Sequence, residues 1–117
     1  MNKIGKFGED IACVFLMKHG YKVMDRNYSK KWGELDIVAK KGKKVLFVEV
    51  KTVSCGTSLN PEDNMHPVKI KKFVRIIETY REENGIKNLE YAAALIAIRV
   101  DLKTKMAKVR FIEDLIL

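Results

Sequence analysis

The sequence predicts a mixed α/β domain: a central β-sheet with helices packed on it, in the order α-β-β-β-α-β-β. Three observations carry this expectation. Apolar residues recur at helical spacing near the start of the chain and again in its second half. Between them, residues 33–51 read GELDIVAKKGKKVLFVEVK, two apolar runs around a basic, glycine-containing turn, which is the pattern of a β-hairpin. Downstream, LEYAAALIAIRV is a bounded apolar run of the kind that forms a buried strand. With 117 residues, 47% of them hydrophobic, the chain suits a single domain, 1–117, with one core.

Taken in order, residues 2–19 form the first expected helix. Ile4, Phe7, Ile11, Val14 and Phe15 recur on one helical face, Asn2 can cap the start, and Gly20 can stop the end. Gly5, Gly8 and Ala12 make a second stripe, of small residues, which lets a helix approach a sheet closely and offsets the poor helix propensity of glycine. Glu9 lies beside that stripe, at the expected rim of the helix–sheet interface. Residues 21–28 follow as a strand with Val23 inward, and 29–32 as a short connection. Residues 34–39 and 44–51 are the second and third strands. The stretch 52–64 carries serine, glycine, asparagine and proline with little apolar content, and reads as a loop. Residues 65–84 are the second helix, with Ile70, Phe73, Val74 and Ile77 as its buried face and Gly85 at its end. Residues 89–100 form a buried strand, although their alanines would also suit a helix. Residues 105–111 alternate as an edge strand, and 112–117 are a short apolar tail that covers an edge or contacts a partner.

Composition narrows the function. No apolar run reaches the length of a membrane span, and the opening MNKIGKFGED lacks the apolar region of a signal peptide, so a soluble, cytoplasmic protein is expected. Cys13 and Cys55 form no CxxC and have no nearby histidine pair, which argues against a structural zinc site or a disulfide framework. The net charge of +8, from 23 Lys+Arg against 15 Asp+Glu, points to a polyanionic partner, nucleic acid first. A lysine-rich solvated surface would account for the charge alone equally well. Placement favours the partner: acids gather in the hairpin, while bases crowd its tip and the later helix. No Ser-His-Asp or Cys-His set can be argued, and no glycine-rich phosphate loop is present.

The chemistry concentrates in the hairpin. Glu34 and Asp36 interrupt its first apolar run and Glu49 its second, and Lys51 follows two residues on. Charged groups in strands this apolar are costly unless they are paired, bind a metal or face a cleft. Side chains alternate along a strand, and directly opposed residues of an antiparallel pair point the same way. If Lys40 pairs with Val45, Asp36 falls opposite Glu49 and Glu34 opposite Lys51. If Lys40 pairs with Lys43, Glu34 falls opposite Glu49 with Asp36 as its diagonal neighbour. Either even-length loop places all four charges on one face. Carboxylates about 5–8 Å apart across such a pair repel unless a cation sits between them. A hard ion such as Mg²⁺, using one or two carboxylates and keeping several waters, suits them. It can lower the pKa of a bound water and polarise a phosphodiester, while Lys51 orients that water or stabilises charge developing on phosphate. These are the minimum parts of a metal-dependent phosphodiesterase. From spacing alone, an ion-pair ladder on a solvent-facing sheet, nearly neutral in energy, accounts for the same residues.

GELDIVA followed by VLFVEVK resembles the metal-binding core of the PD-(D/E)xK nucleases, with Asp36 as the first acid and Glu49-Val50-Lys51 as the ExK element. The opening GKFGEDIACVFL resembles the Gly-x-x-Gly-Glu helix start of one branch. That branch is the YraN-type family of predicted bacterial endonucleases, related to archaeal Holliday-junction resolvases. YKVMDRN fits the pattern that precedes its core, and the resemblance runs from Gly5 to about Ile98. It implies a restriction-endonuclease-like α/β core, Mg²⁺ as cofactor with Mn²⁺ as a substitute, and DNA, branched or structured, as partner. It implies Asp36 and Glu49 as metal ligands, the Val50 carbonyl as a third, and Glu9 reaching the metal directly or through water. Lys51 then matches the catalytic lysine, and Lys69, after His66-Pro67, the basic residue that opens the second helix near the site. Val53 stands where the family often has arginine, and Ala92-Ala93-Ala94 where it usually has Arg-Phe-Asp. A homodimer is expected by analogy, because cutting two strands takes two sites.

Lys69, Lys71, Lys72 and Arg75 line the polar side of the second helix and can neutralise phosphates; Lys69 and Lys72 are the expected nucleic-acid contacts. The tip lysines Lys40, Lys41, Lys43 and Lys44 read as a solvated face. Trp32 and Tyr28 could stack on a base, but packing against the sheet edge is the expectation. His19 at a helix end and His66 at a helix start read as structural. The leading expectation is a Mg²⁺-dependent DNA endonuclease or resolvase-like hydrolase in DNA processing or repair. The competing ones are a non-catalytic nucleic-acid-binding module that keeps the fold, and a structural domain with a surface ion ladder.

Overall fold

A computed structural model describes residues 3–56 and 67–113. The expectations for Asn2, Met65, His66, residues 57–64 of the loop and residues 114–117 of the tail lie outside them. The elements are α1 Lys3–Lys18, β1 Lys22–Lys30, β2 Gly33–Lys41, β3 Lys44–Ser54, α2 Pro67–Glu83, β4 Glu90–Asp101 and β5 Met106–Glu113. The order α-β-β-β-α-β-β is the expected one. The five strands form one sheet in the order β1-β2-β3-β4-β5. β3 and β4 are parallel and the other neighbours antiparallel, so the sheet is mixed. Parallel neighbours need a crossover, and α2 supplies it. This topology agrees with the restriction-endonuclease-like core that the motifs imply.

The two helices cover opposite faces. Ala12, Cys13 and Leu16 of α1 pack with Ile37, Ala39, Leu46, Val48, Ala94 and Ile96. Phe73, Ile76, Ile77 and Tyr80 of α2 pack with Val38, Val45, Phe47 and Ala93. β4 lies under both layers, which explains why its apolar run does not alternate: Ala92 through Ile98 are all buried. Its alanines build a strand because β3 and β5 pair with it on both edges. Both helices end in the expected glycines, at φ 86 for Gly20 and φ 64 for Gly85. The Tyr21 and Ile86 N–H groups then reach back to the Leu16 and Arg81 carbonyls, at 3.0 and 3.1 Å.

Five expectations are corrected. The buried face of α1 is the small stripe with Glu9, Cys13 and Leu16, while Phe7 and Val14 are 43% and 46% exposed. The physical reason is closeness: a Cβ on Gly8 would collide with Thr52 Oγ1 and lie 2.9 Å from Thr52 Cβ. Only the small stripe allows the helix to sit there. On α2, Ile76 and Tyr80 take the buried places and Val74 is exposed. Finally, β3 does not give way to a loop at residue 52. Thr52, Val53 and Ser54 stay paired with Ile98, Arg99 and Val100, so the parallel ladder overrides their polar composition. Likewise residues 29–30, expected in a connection, extend β1 opposite Glu34 and Gly33, and residues 112–113 belong to β5.

Candidate active site

The hairpin takes the first of the two even registers. Lys40 pairs with Val45 and Lys41 with Lys44, leaving Gly42 and Lys43 as the loop. Gly42 has φ 61 and Lys43 no positive φ, as a two-residue turn with glycine first requires. The ladder between β2 and β3 runs to Ile37↔Val48 and stops. Asp36 is the next residue. Its Oδ2 accepts the Val50 N–H at 2.8 Å, so a side chain takes over where a β2 carbonyl would otherwise continue the pairing. An extended residue carries its N–H and C=O on the same edge of the strand. The Val50 carbonyl therefore faces the gap between β2 and β3 as well.

The four hairpin charges do not lie on one flat face. Leu35 and Val38, three positions apart, both pack on the α2 side, so alternation is broken between them. Across from Asp36, between the pairs Arg26↔Ile37 and Tyr28↔Leu35, Asn27 has φ 54. This irregularity turns Asp36 into the gap rather than onto the sheet surface. A cavity of about 470 Å³ opens there, and Glu9, Asn27, Glu34, Asp36, Glu49, Val50 and Lys51 line it. Lys69 and Lys72 of α2 form its other wall. The expected site residues Glu9, Asp36, Glu49, Val50, Lys51, Lys69 and Lys72 thus share one cavity. The tip lysines lie at the far end of the hairpin, where Lys41 Nζ donates to the His19 carbonyl at 2.9 Å and Lys44 pairs with Glu113.

Each acid has its own setting. Asp36 is 7% exposed. Burial, then the neighbouring Glu49 carboxylate, push its pKa up to about 7; the Val50 N–H opposes the rise, and Glu9 and Glu34 add to it. Glu9 is 8% exposed, deeper than the rim position expected for it. Its Oε1 is buried with no hydrogen-bond donor among the described residues, and Arg26 Nη2 stands 3.7 Å away. Arg26 is itself held by Asp10 at 2.9 Å. Glu49 pairs with Lys69, Nζ to Oε1 3.1 Å. Lys51 is half-buried and forms no ion pair with a described residue.

Among the described residues, no three His, Cys, Asp or Glu side chains are grouped so that they could hold a metal ion by themselves. An ion held here would rely on fewer carboxylates, with backbone and water completing its shell. Two repelling carboxylates, a gap-facing carbonyl and an orphaned buried carboxylate oxygen are hard oxygen donors of the kind that Mg²⁺ takes while keeping several waters.

Arg26 and Asn27 were not singled out as site residues from the sequence. An asparagine inside a strand is a usable signal, since it tolerates a left-handed backbone. Arg26 lies with it in the YKVMDRN stretch that fits the family pattern, but its partners come from α1 by packing. Trp32 packs in the α2-side cluster with the Arg75 guanidinium 4.7 Å over its ring, and Tyr28 donates to Glu83, so both serve packing as expected.

The sequence matches the model of a family described as Uncharacterised protein family UPF0102 over residues 8–111. A UPF0102 protein of Flavobacterium psychrophilum is 35% identical over 113 residues, covering 97% of this chain and 92% of that protein. One of Campylobacter jejuni is 37% identical over 98 residues, covering 84% and 85%. One of Thermotoga petrophila is 39% identical over 82 residues, covering 70% and 74%. Among solved structures, an XisH family protein from Nostoc punctiforme aligns with 90% of this chain and 98% of its own, at TM-score 0.39 and 12% identity. No helix among the described residues is long and apolar enough to cross a membrane.

Proposed function

The chain belongs to the uncharacterised protein family UPF0102, and from that premise and the geometry of its cavity we propose that it is a Mg²⁺-dependent endodeoxyribonuclease. Its substrate is DNA, branched or structured, and its work a resolvase-like hydrolysis in DNA processing or repair. One observation carries this reading. Asp36 and Glu49 stand where β2 and β3 separate, in one cavity with Lys51 and with Glu9 from α1.

Asp36, Glu49 and the Val50 carbonyl would hold the ion, with Glu9 supporting it directly or through water. Mg²⁺ bound there would lower the pKa of a water and polarise the phosphodiester. The chain's own groups do the positioning. The Val50 N–H fixes the Asp36 carboxylate at 2.8 Å. Arg26 Nη2 stands 3.7 Å from Glu9 Oε1 and holds that side chain toward the cavity. Lys51 donates hydrogen bonds to the attacking water or to a phosphate oxygen as charge develops on it. Lys69 and Lys72, on the α2 wall, receive backbone phosphates, and the net charge of +8 draws the polyanion in.

The test is incubation with branched, nicked and single-stranded DNA in Mg²⁺. Strand cleavage is expected from the wild type, and its loss in a folded Lys51→Ala variant. A wild type that cuts none of them in Mg²⁺ or Mn²⁺, with DNA binding that persists in Asp36→Ala, would instead support a non-catalytic binding module.

A further inference from the structure

Lys69 and Lys72 share the α2 wall of the cavity, but they are not equivalent. The Lys69 ammonium is 3.1 Å from Glu49 Oε1, whereas Lys72 forms no ion pair with a described residue. The Glu49 side chain is 15% exposed and the Lys69 side chain 38%. The acid is therefore the more buried partner, and the base lies on the more exposed side of the cavity. Asp36, Glu9 and Glu34 line the same cavity, and the Glu49, Glu9 and Glu34 charges all act on Asp36. An ammonium at Glu49 relieves that repulsion when no other cation is present.

We propose that Lys69 is the resident counter-ion of the metal-free site: a divalent cation displaces it from Glu49, and it then binds a phosphate of the nucleic acid. This rests on reading the cavity as a metal site. The exchange follows from geometry and charge. Glu49 Oε1 cannot serve the ammonium and a metal ion at once without placing two cations side by side. Lys69 sits at the third position of α2, on a flexible four-carbon stem, so its head can leave Glu49 without moving the helix. Once free, it lies at the cavity mouth beside Lys72, where a phosphate backbone approaches. Metal and DNA then help each other to bind, and by linkage each raises the other's affinity by the same factor.

The experiment titrates Mn²⁺ into the DNA-free protein by calorimetry. Lys69→Met and Lys69→Gln are compared with Lys72→Met, and thermal melting verifies that each is folded. Removing the competing ammonium is expected to tighten Mn²⁺ binding about tenfold, within the usual range of coupling between sites. Lys72→Met, which removes a charge but no competitor, should change it much less. DNA affinity is then measured against salt with and without Mn²⁺, in the Lys51→Ala background so that no strand is cut. Mn²⁺ should strengthen DNA binding when Lys69 is present, and should steepen the salt dependence by about one phosphate contact. In Lys69→Met both gains should shrink. Equal effects of the Lys69 and Lys72 variants on Mn²⁺ affinity, or a Mn²⁺ effect on DNA binding that is undiminished in Lys69→Met, would overturn the exchange and leave the metal site standing. A wild type that binds no Mn²⁺ would overturn the metal site and the exchange with it.

Discussion

From the turn to Ile37 and Val48, β2 and β3 are paired rung by rung, and Ile37, Val38, Ala39, Val45, Leu46, Phe47 and Val48 are all buried. From Asp36 outward the same two strands part, and they carry Glu34, Asp36, Glu49 and Lys51. One half of the hairpin is core and the other is a cavity wall. The difference shows how a buried charge is tolerated. Burying a carboxylate is costly, but Asp36 sits where the backbone ladder has already ended and satisfies a backbone N–H that the ladder leaves behind. The acids therefore mark the place where β2 and β3 stop pairing with each other, while each stays paired with its outer neighbour.

Substitutions in the two halves should fail in different ways. In the open half, Lys51→Ala and Asp36→Asn are expected to lower cleavage by about 10²–10³-fold or more, the usual cost of removing a group that stabilises transition-state charge. The urea midpoint of Lys51→Ala should stay within the range of surface substitutions, and that of Asp36→Asn should not fall below the wild type's. In the closed half, Phe47→Ala should cost about 3–5 kcal/mol of stability, because its ring is fully buried. Its activity should track the folded fraction alone. Single-turnover cleavage beside urea unfolding separates the two behaviours.

A smaller effect is expected where α1 meets the open half. Gly8→Ala would push into Thr52 and should destabilise by about 1–3 kcal/mol, against an intrinsic helix preference for alanine of about 1 kcal/mol. In a double-mutant cycle with Thr52→Gly the clash should disappear, leaving a favourable coupling energy.

The pH dependence discriminates the halves again. In EDTA, Asp36 keeps its proton in the folded protein up to about pH 7, while the unfolded chain loses it near the ordinary carboxylate value of 3.8. The folded state thus binds more protons across that window, so this group's contribution to stability falls as pH rises from about 4 to about 7. Asp36→Asn keeps an acceptor for the Val50 N–H and cannot ionise. It should be more stable than the wild type at pH 8 by about 1–3 kcal/mol, with the difference vanishing near pH 4. Equal stabilities at pH 8 would contradict the account of Asp36 burial.

The smallest effects belong to the far end of the hairpin. Lys40→Gln and Lys43→Gln should leave cleavage unchanged and stability within about 0.5 kcal/mol. Lys72→Ala should weaken DNA binding and lower its salt slope by about one contact.

Much of this was legible in the sequence. Turn chemistry at Gly42 and the alternation around it were enough to offer the register that brings Asp36 next to Glu49. The motifs added Glu9, which no local pattern could connect to the hairpin. Three things were not legible, each for a physical reason. Periodicity ranks apolar stripes by hydrophobicity, so it favoured Phe7 and Val14 over the Gly8 and Ala12 stripe, whose advantage is closeness to Thr52. Polar Thr52 and Ser54 looked like loop because their strand character comes from the parallel partner β4, which lies more than 40 residues on in sequence. The Arg26 contact with Glu9 and the Lys69 contact with Glu49 arise only when separate elements pack, and no spacing rule encodes them.

The most direct test of the central claim, that the open end of the hairpin holds a divalent cation, is a crystal of the protein soaked in Mn²⁺ and measured for anomalous scattering. The account predicts a single peak between the Asp36 and Glu49 carboxylates, at about 2.0–2.3 Å from an oxygen of each, roughly the range of hard divalent ions, with the Lys69 ammonium moved away from Glu49. No peak at high Mn²⁺ concentration, with Lys69 still paired to Glu49, would contradict it.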